Sequence, residues 1–424
     1  MKYKDIEIGS NCLHMIKTDK FKTITIQVHL KQPIERENIT KSNLLTTIIL
    51  EGTKKYPSRR SLALEGENLY NVLLSASCYR LGLYSNINIE MTLLEEKYTE
   101  SGMLDKSLAF LSEIVFNNKL KDGTVSMETF SSAKDEVKTN INNGKESHDA
   151  YSIVRLLENM DNNQVFAYRE NGYIEDLETI TPEIEQQYYN QVLISSYFDI
   201  YVLGDIDFSE METLIRKYFN ISTFKKPREQ AFLPAVNKRN TPLLIKEPET
   251  MNQSKLAIAC SVKPSSLFET NYVYNIYTII LGSGPDSKFF KNIREKHSLA
   301  YYISASMRKL DNLIILKAGI DKNNFDKTVK LIEHEMTDMI NGKFTDLELA
   351  NALEAYKNRI LEIEDMSDAL IEARVATDLM NADPLAKRSA EIEKVTKEDV
   401  VNFAKKVSIN TIFLLEGVED NHED

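Results

Sequence analysis

The chain alternates between stretches of two-residue and 3.6-residue hydrophobic period. Residues 4–30 alternate apolar and polar positions in two runs, ending in FKTITIQVHL, which is the spacing of half-buried strands. An apolar-rich helical run, TKSNLLTTIIL (40–50), is followed by the loop EGTKKYPSRR. A helix is predicted over 61–74, and two strands over 75–95, joined near Gly82. Within 103–117, Leu104, Leu108, Leu111 and Val115 share one face of an amphipathic helix. A longer charged helix is expected over 126–141 and helical structure over 147–175. Thr181 and Pro182 have the N-cap and N1 chemistry of a helix start, and 198–203 reads as a strand closed by Gly204-Asp205.

A change of texture follows. Residues 224–248 hold Pro227, Pro234, Pro242 and Pro248 with basic residues between them, which predicts a surface linker. Beyond it the pattern of the first half returns. KLAIACSV (255–262) corresponds to 22–30, and the TIIL of 278–281 repeats the TIIL of 47–50 letter for letter. FDKT (325–328) matches LDKS (104–107), and ALEAYKNRI (352–360) lies over AKDEVKTNI (133–141). VTKE (395–398) lies over ITPE (180–183), and TIFLLEG (411–417) over 200–204. Six matches in one order predict an α+β chain of two domains with one fold: 1–223, a linker 224–248, and 249–424.

Composition narrows the function classes. A net charge of −12 argues against a nucleic-acid surface and favours neutral or basic partners. No apolar run reaches the 18 or so residues of a membrane span, and MKYKDIEIGSNCLHM has no apolar export core. Cys12, Cys78 and Cys260 are odd in number and far apart, as expected of reduced thiols in a cytoplasmic protein.

The candidate chemistry lies in TIILGSGPDSKFFKNIREKHSLAYY (278–302), which reads as a helix, a glycine-bearing turn, a second helix and a strand. Arg294 and Tyr301 are both hydrogen-bond donors and could hold a peptide carbonyl or its developing oxyanion. The alternative for Arg294 is an ion pair with Glu295. Gly282 and Gly284 suit either a helix C-cap or a loop that grips peptide backbone.

Two such halves resemble the insulinase/pitrilysin superfamily of zinc peptidases, which includes mitochondrial-processing-peptidase-like proteins. The residues that carry the resemblance are GTKKYPSR (52–59), VLGDID (202–207) and the LGSG…FFKNIREKHSLAYY stretch (281–302). It implies two homologous insulinase-type α/β-roll domains forming a half clam-shell. Active members carry H-x-x-E-H about ten residues before the Gly-Thr, with a carboxylate on a later helix completing the zinc site. Aligned on Gly52-Thr53, that motif falls on Asn43-Leu44-Leu45-Thr46-Thr47, and the distal carboxylate on Asn140, with Glu136 nearby. No histidine occurs between His29 and His148. The resemblance therefore implies that this chain holds no catalytic zinc or other cofactor. Arg294 and Tyr301 match the family's R-x6-Y pair, and Gly282 and Gly284 the peptide-gripping loop. The whole resembles the non-catalytic, YfmF-type members of Gram-positive bacteria. It implies a heterodimer with a zinc-bearing paralogue, to which Arg294 and Tyr301 are lent for peptide cleavage. The competing readings are a peptide-binding scaffold that cleaves nothing and a peptidase with atypical ligands.

Overall fold

The helix start signals work as written. Thr181 accepts a hydrogen bond from the Ile184 amide at 3.4 Å, with Pro182 at N1. Ser58 and Ser61 form a reciprocal capping box, as do Thr396 and Asp399. In the computed structural model these caps belong to two compact units, and residues 1–8, 11–121, 123–219, 231–264 and 266–418 are described.

Unit 1 contains β1 (Lys2–Ile8), β2 (Asn11–Lys17), β3 (Thr23–Pro33), α1 (Ile39–Ile48), α2 (Arg59–Asn68), β4 (Leu73–Leu81) and β5 (Tyr84–Leu94). After α3 (Met103–Phe116) and α4 (Met127–Glu146) the chain leaves it for α5 (His148–Met160). It returns with α6 (Ile174–Thr179), α7 (Pro182–Ser195), β6 (Tyr197–Gly204) and α8 (Phe208–Tyr218). The sheet order is β1-β2-β6-β3-β5-β4, with only β2 and β6 parallel. Ile24, Ile26, Val28 and Leu30 of β3 face a core filled by Leu44, Leu45 and Ile48 of α1 and by the predicted α3 stripe.

The other face of that sheet is polar and buried. Lys31 donates to Asp199 at 2.8 Å and to Tyr201 at 3.3 Å. His29 Nε2 donates to Gln27 at 2.9 Å, and Gln27 donates to Glu90 at 2.8 Å. A buried charge is tolerated only with such partners.

Unit 2 contains β7 (Leu243–Thr250), β8 (Ser254–Val262), α9 (Tyr274–Gly282), β9 (Ala300–Arg308), β10 (Leu313–Ile320), α10 (Phe325–Ile340) and α11 (Asp346–Glu364). There follow α12 (Ser367–Met380), α13 (Leu385–Ile392), α14 (Lys397–Ala404) and β11 (Val407–Val418). Wide π-wound turns run over Glu269–Val273 and Phe289–Lys296. The order β7-β11-β8-β10-β9, with β7 and β11 parallel, repeats β2-β6-β3-β5-β4 strand for strand. The repeat extends to side chains: Ala133, Val137 and Ile141 are the buried face of α4, and Ala352, Tyr356 and Ile360 that of α11. The predicted α+β architecture of two homologous units is present.

The division into units departs from the linear expectation. Residues 145–168, with α5, cluster with unit 2, and residues 365–371, the start of α12, with unit 1. Helix α5 lies on β8 and β11, where Ala257 and Ala259 supply a flat surface and Lys255 pairs with Asp149 at 3.3 Å. Of the expected linker 224–248, residues 224–230 lie outside the described residues, and 243–248 belong to β7, an edge strand whose position tolerates Pro248. Between them, Asn237 and Arg239 are fastened to Asn410, the bulged residue of β11, at 3.0 Å each. The helix expected over 61–74 ends at Asn68 because Tyr70 and Asn71 take left-handed backbone angles (φ 63° and 60°), and β4 begins at Leu73.

Burial, and then the Lys31 ammonium, hold the His29 imidazole well below its ordinary value. The unfolded chain therefore binds the extra proton first, and stability falls as pH drops through about 6.5. Urea unfolding at pH 7.5 and 5.5 is expected to show that loss, and His29→Gln to reduce it by up to about 1.4 kcal/mol per pH unit.

Candidate functional site

Each unit holds a candidate site. In unit 1, α1 projects Asn43, Thr46 and Thr47 into a cavity of about 610 Å³. Helix α4 adds Glu136 and Asn140, and edge strand β4 adds Ala76, Ser77 and Cys78. The four positions assigned from the degenerate motif thus converge on one cavity.

The polar groups of the three α1 positions are turned to the backbone. Asn43 Nδ2 donates to the carbonyls of Ile39 and Glu170 at 3.0 and 2.8 Å. The hydroxyls of Thr46 and Thr47 both donate to the Asn43 carbonyl, at 2.8 and 3.3 Å. These are neutral amide and hydroxyl groups, whereas zinc takes thiolate, imidazole or carboxylate. Glu136 has Arg59 within 3.5 Å, and Arg59 also pairs with Glu51. Among the described residues no group of three or more His, Cys, Asp or Glu could hold a metal. The donor set does not fit catalytic zinc. Burial pushes the Cys78 thiol up to about 11, so no thiolate serves the cavity at neutral pH. Cys260 is fully buried, and burial pushes its thiol up to about 12. At pH 8 the Cys260 thiol is expected to resist a disulfide reagent such as dithionitrobenzoate in the native chain and to react at once in guanidinium.

In unit 2 the Phe289–Lys296 helix is pinned from below. Phe289 and Ile293 are fully buried, and Glu335 of α10 accepts from Lys288 at 3.0 Å and from Asn292 at 2.8 Å. Arg294 is presented from that base with its guanidinium 4.7 Å from the Phe290 ring centre. A left-handed Ser298 (φ 51°) turns the chain into β9. There the side chains alternate: Tyr301 is 67% exposed, whereas Tyr302 donates to Asp149 on α5, with Lys255 over its ring at 5.2 Å. Arg294 and Tyr301 meet in one cleft of about 430 Å³ together with Asp321 and Asn324. Arg294 Nε reaches Glu295 only at 3.9 Å, between exposed side chains, a pairing worth little.

Asp321 and Asn324 were not read from the sequence. They sit in the turn before α10, and the one signal there is the cap that Asp321 makes to the Asn323 amide at 2.8 Å. Gly282 and Gly284 have different roles. Gly282 is buried where α9 meets β9, and a Cβ there would lie 2.7 Å from both the Ala305 Cβ and the Phe289 ring. Gly284 has open space around it and a φ of +91°. Gly282→Ala is expected to lower the unfolding free energy by about 1–3 kcal/mol through overpacking, read by chemical denaturation.

Comparison with known proteins shows what the chain is similar to. Residues 179–356 match the family model described as "Peptidase M16 inactive domain". The chain is 28% identical to "Probable inactive metalloprotease YmfF" of Bacillus subtilis (strain 168) over 414 residues, 97% of each chain. A conserved protein from Enterococcus faecalis V583 superposes with a TM-score of 0.91 at 26% identity, over 99% of this chain and 100% of the other. A peptidase M16 inactive domain from Pseudomonas fluorescens gives 0.79 at 13% identity, over 99% and 98%, a likeness of fold. The resemblance to non-catalytic insulinase/pitrilysin-type proteins is borne out (the type's label is YmfF rather than YfmF). Among the described residues no helix is long and apolar enough to cross a membrane.

Proposed function

We propose that this chain, similar along its length to inactive M16-type peptidases, is the substrate-holding subunit of a heterodimeric zinc endopeptidase. The observation that carries the reading is an asymmetry. The metal positions of unit 1 hold Asn43, Thr46, Thr47 and Asn140, whereas unit 2 keeps Arg294 and Tyr301 in one open cleft. A phenol and a guanidinium are suited to bind a peptide carbonyl and to stabilise the oxyanion that forms on attack. Both need an exposed approach, and both have one.

A zinc-bearing paralogue would supply the attacking water and its activation. This chain's own residues would orient the peptide. Tyr301 stands at the start of β9, the last strand in its sheet, so an extended peptide could pair with the outer backbone groups of that edge. The reading places the pair in the cytoplasm.

The test is a fluorogenic-peptide assay of the chain alone, the paralogue alone and the mixture, with zinc measured in each. Activity is expected only in the mixture, with zinc only in the paralogue. Arg294→Ala and Tyr301→Phe are each expected to reduce kcat/KM of the mixture by about 100-fold, with zinc content and complex formation unchanged. Complex formation with full activity in both variants would favour a scaffold. Stoichiometric zinc and activity in this chain alone would overturn the reading.

A further inference from the structure

What the walls of the unit 1 cavity can bond follows from where their hydrogens already go. Asn43, Thr46 and Thr47 stand three and four residues apart on α1, hence on one helix face, and all three line the cavity. An amide nitrogen carries two hydrogens. Both of Asn43's are given to the backbone, to the Ile39 carbonyl at 3.0 Å and the Glu170 carbonyl at 2.8 Å. A hydroxyl carries one, and those of Thr46 and Thr47 go to the Asn43 carbonyl at 2.8 and 3.3 Å. The side-chain capacity left on this wall is lone pairs alone, on the Asn43 Oδ1 and the two hydroxyl oxygens. A ligand seated against α1 must therefore bring the hydrogens.

The other walls fix the rest of that ligand. Glu136 of α4 is the one carboxylate among the lining residues, and its side chain is 50% exposed. The one guanidinium there, Arg59, is paired with Glu51 and reaches Glu136 at 3.5 Å. A carboxylate has room for about four donors, so that single loose contact leaves Glu136 open to another. Leu50, Leu62, Val72, Leu74 and Val137 supply apolar surface. The volume, about 610 Å³, is that of a small-ligand site. A guanidinium on an alkyl stem meets each of these demands. It has five N–H donors and no acceptor, its charge suits Glu136, and its methylenes suit the apolar walls.

We propose that the unit 1 cavity binds an alkylguanidinium, with its N–H groups on Asn43, Thr46, Thr47 and Glu136 and its stem against the apolar walls. The site shares no residue with the Arg294–Tyr301 cleft and does not depend on the peptidase reading. Two sources carry this chemistry, a free guanidine and the arginine side chain of a peptide.

Butylguanidinium is the probe, and butylurea, its neutral isostere, is the control. Calorimetric titration of the full chain at constant ionic strength is expected to show saturable binding of butylguanidinium, with butylurea about tenfold weaker. Glu136→Gln, at its half-exposed position, is expected to weaken butylguanidinium about tenfold and to leave butylurea and the thermal unfolding transition unchanged. Thr47→Val leaves the Asn43 carbonyl its bond from Thr46 and removes one acceptor, so it is expected to weaken both ligands about fivefold. Tighter binding of the tripeptide acetyl-Ala-Arg-Ala-amide than of butylguanidinium assigns the site to a peptide's arginine; weaker binding assigns it to a free guanidine. Butylguanidinium bound no more tightly than butylurea, or bound equally well by Glu136→Gln, overturns the proposal.

Discussion

Each sheet depends on a strand that arrives last. β6 inserts between β2 and β3, parallel to one and antiparallel to the other, and every residue of it is buried. β11 does the same between β7 and β8. Until that strand is in place the first strand of each repeat has no partner toward the centre of its sheet. The helices that carry the sites rest on strands already paired, but the sheet beneath them is incomplete. Ladders between positions so far apart in sequence make for slow folding, because loop entropy is lost before any contact compensates it. The buried Lys31–Asp199 pair fixes register at the same joint, since a one-residue slip of β6 would turn the carboxylate toward the apolar core.

On this common frame the two units diverged at a few side chains. The helix ends that share the letters TIIL occupy equivalent places in α1 and α9, yet one helix lines a neutral cavity and the other is packed all round. The exposed chemistry of unit 2 moved one element onward, to the Phe289–Lys296 helix and the start of β9. Its precision comes from residues that never reach the cleft: Glu335 beneath the helix and Asp149 behind the strand. Holding a donor by its neighbours is what allows an exposed Arg and Tyr to be pre-organised.

Much of this was legible in the residues. Local signals carried it: the Thr181-Pro182 cap, the Leu104–Val115 stripe, and the repeated letters that predicted two copies of one fold. The four degenerate positions were also legible, because a motif fixes residue types at fixed spacing and its absence can be counted. Strand β7 was not, since alternation over LLIKEPET is broken by charge and a proline that only an edge strand accepts. Nor was the placement of α5. Its amphipathic stripe says that it must cover something, but the small residues that receive it, Ala257 and Ala259, lie about a hundred positions away. Asp321 and Asn324 carry no motif, and only the return of the chain after β10 brings them beside Arg294.

The placement of α5 bears on what a half of this chain can be. Residues 145–168, encoded in the first repeat, cluster with the second unit, and residues 365–371, encoded in the second, cluster with the first. A chain cut between the repeats would therefore leave each half without a segment that its own unit contains, so neither stretch of sequence is a whole unit by itself.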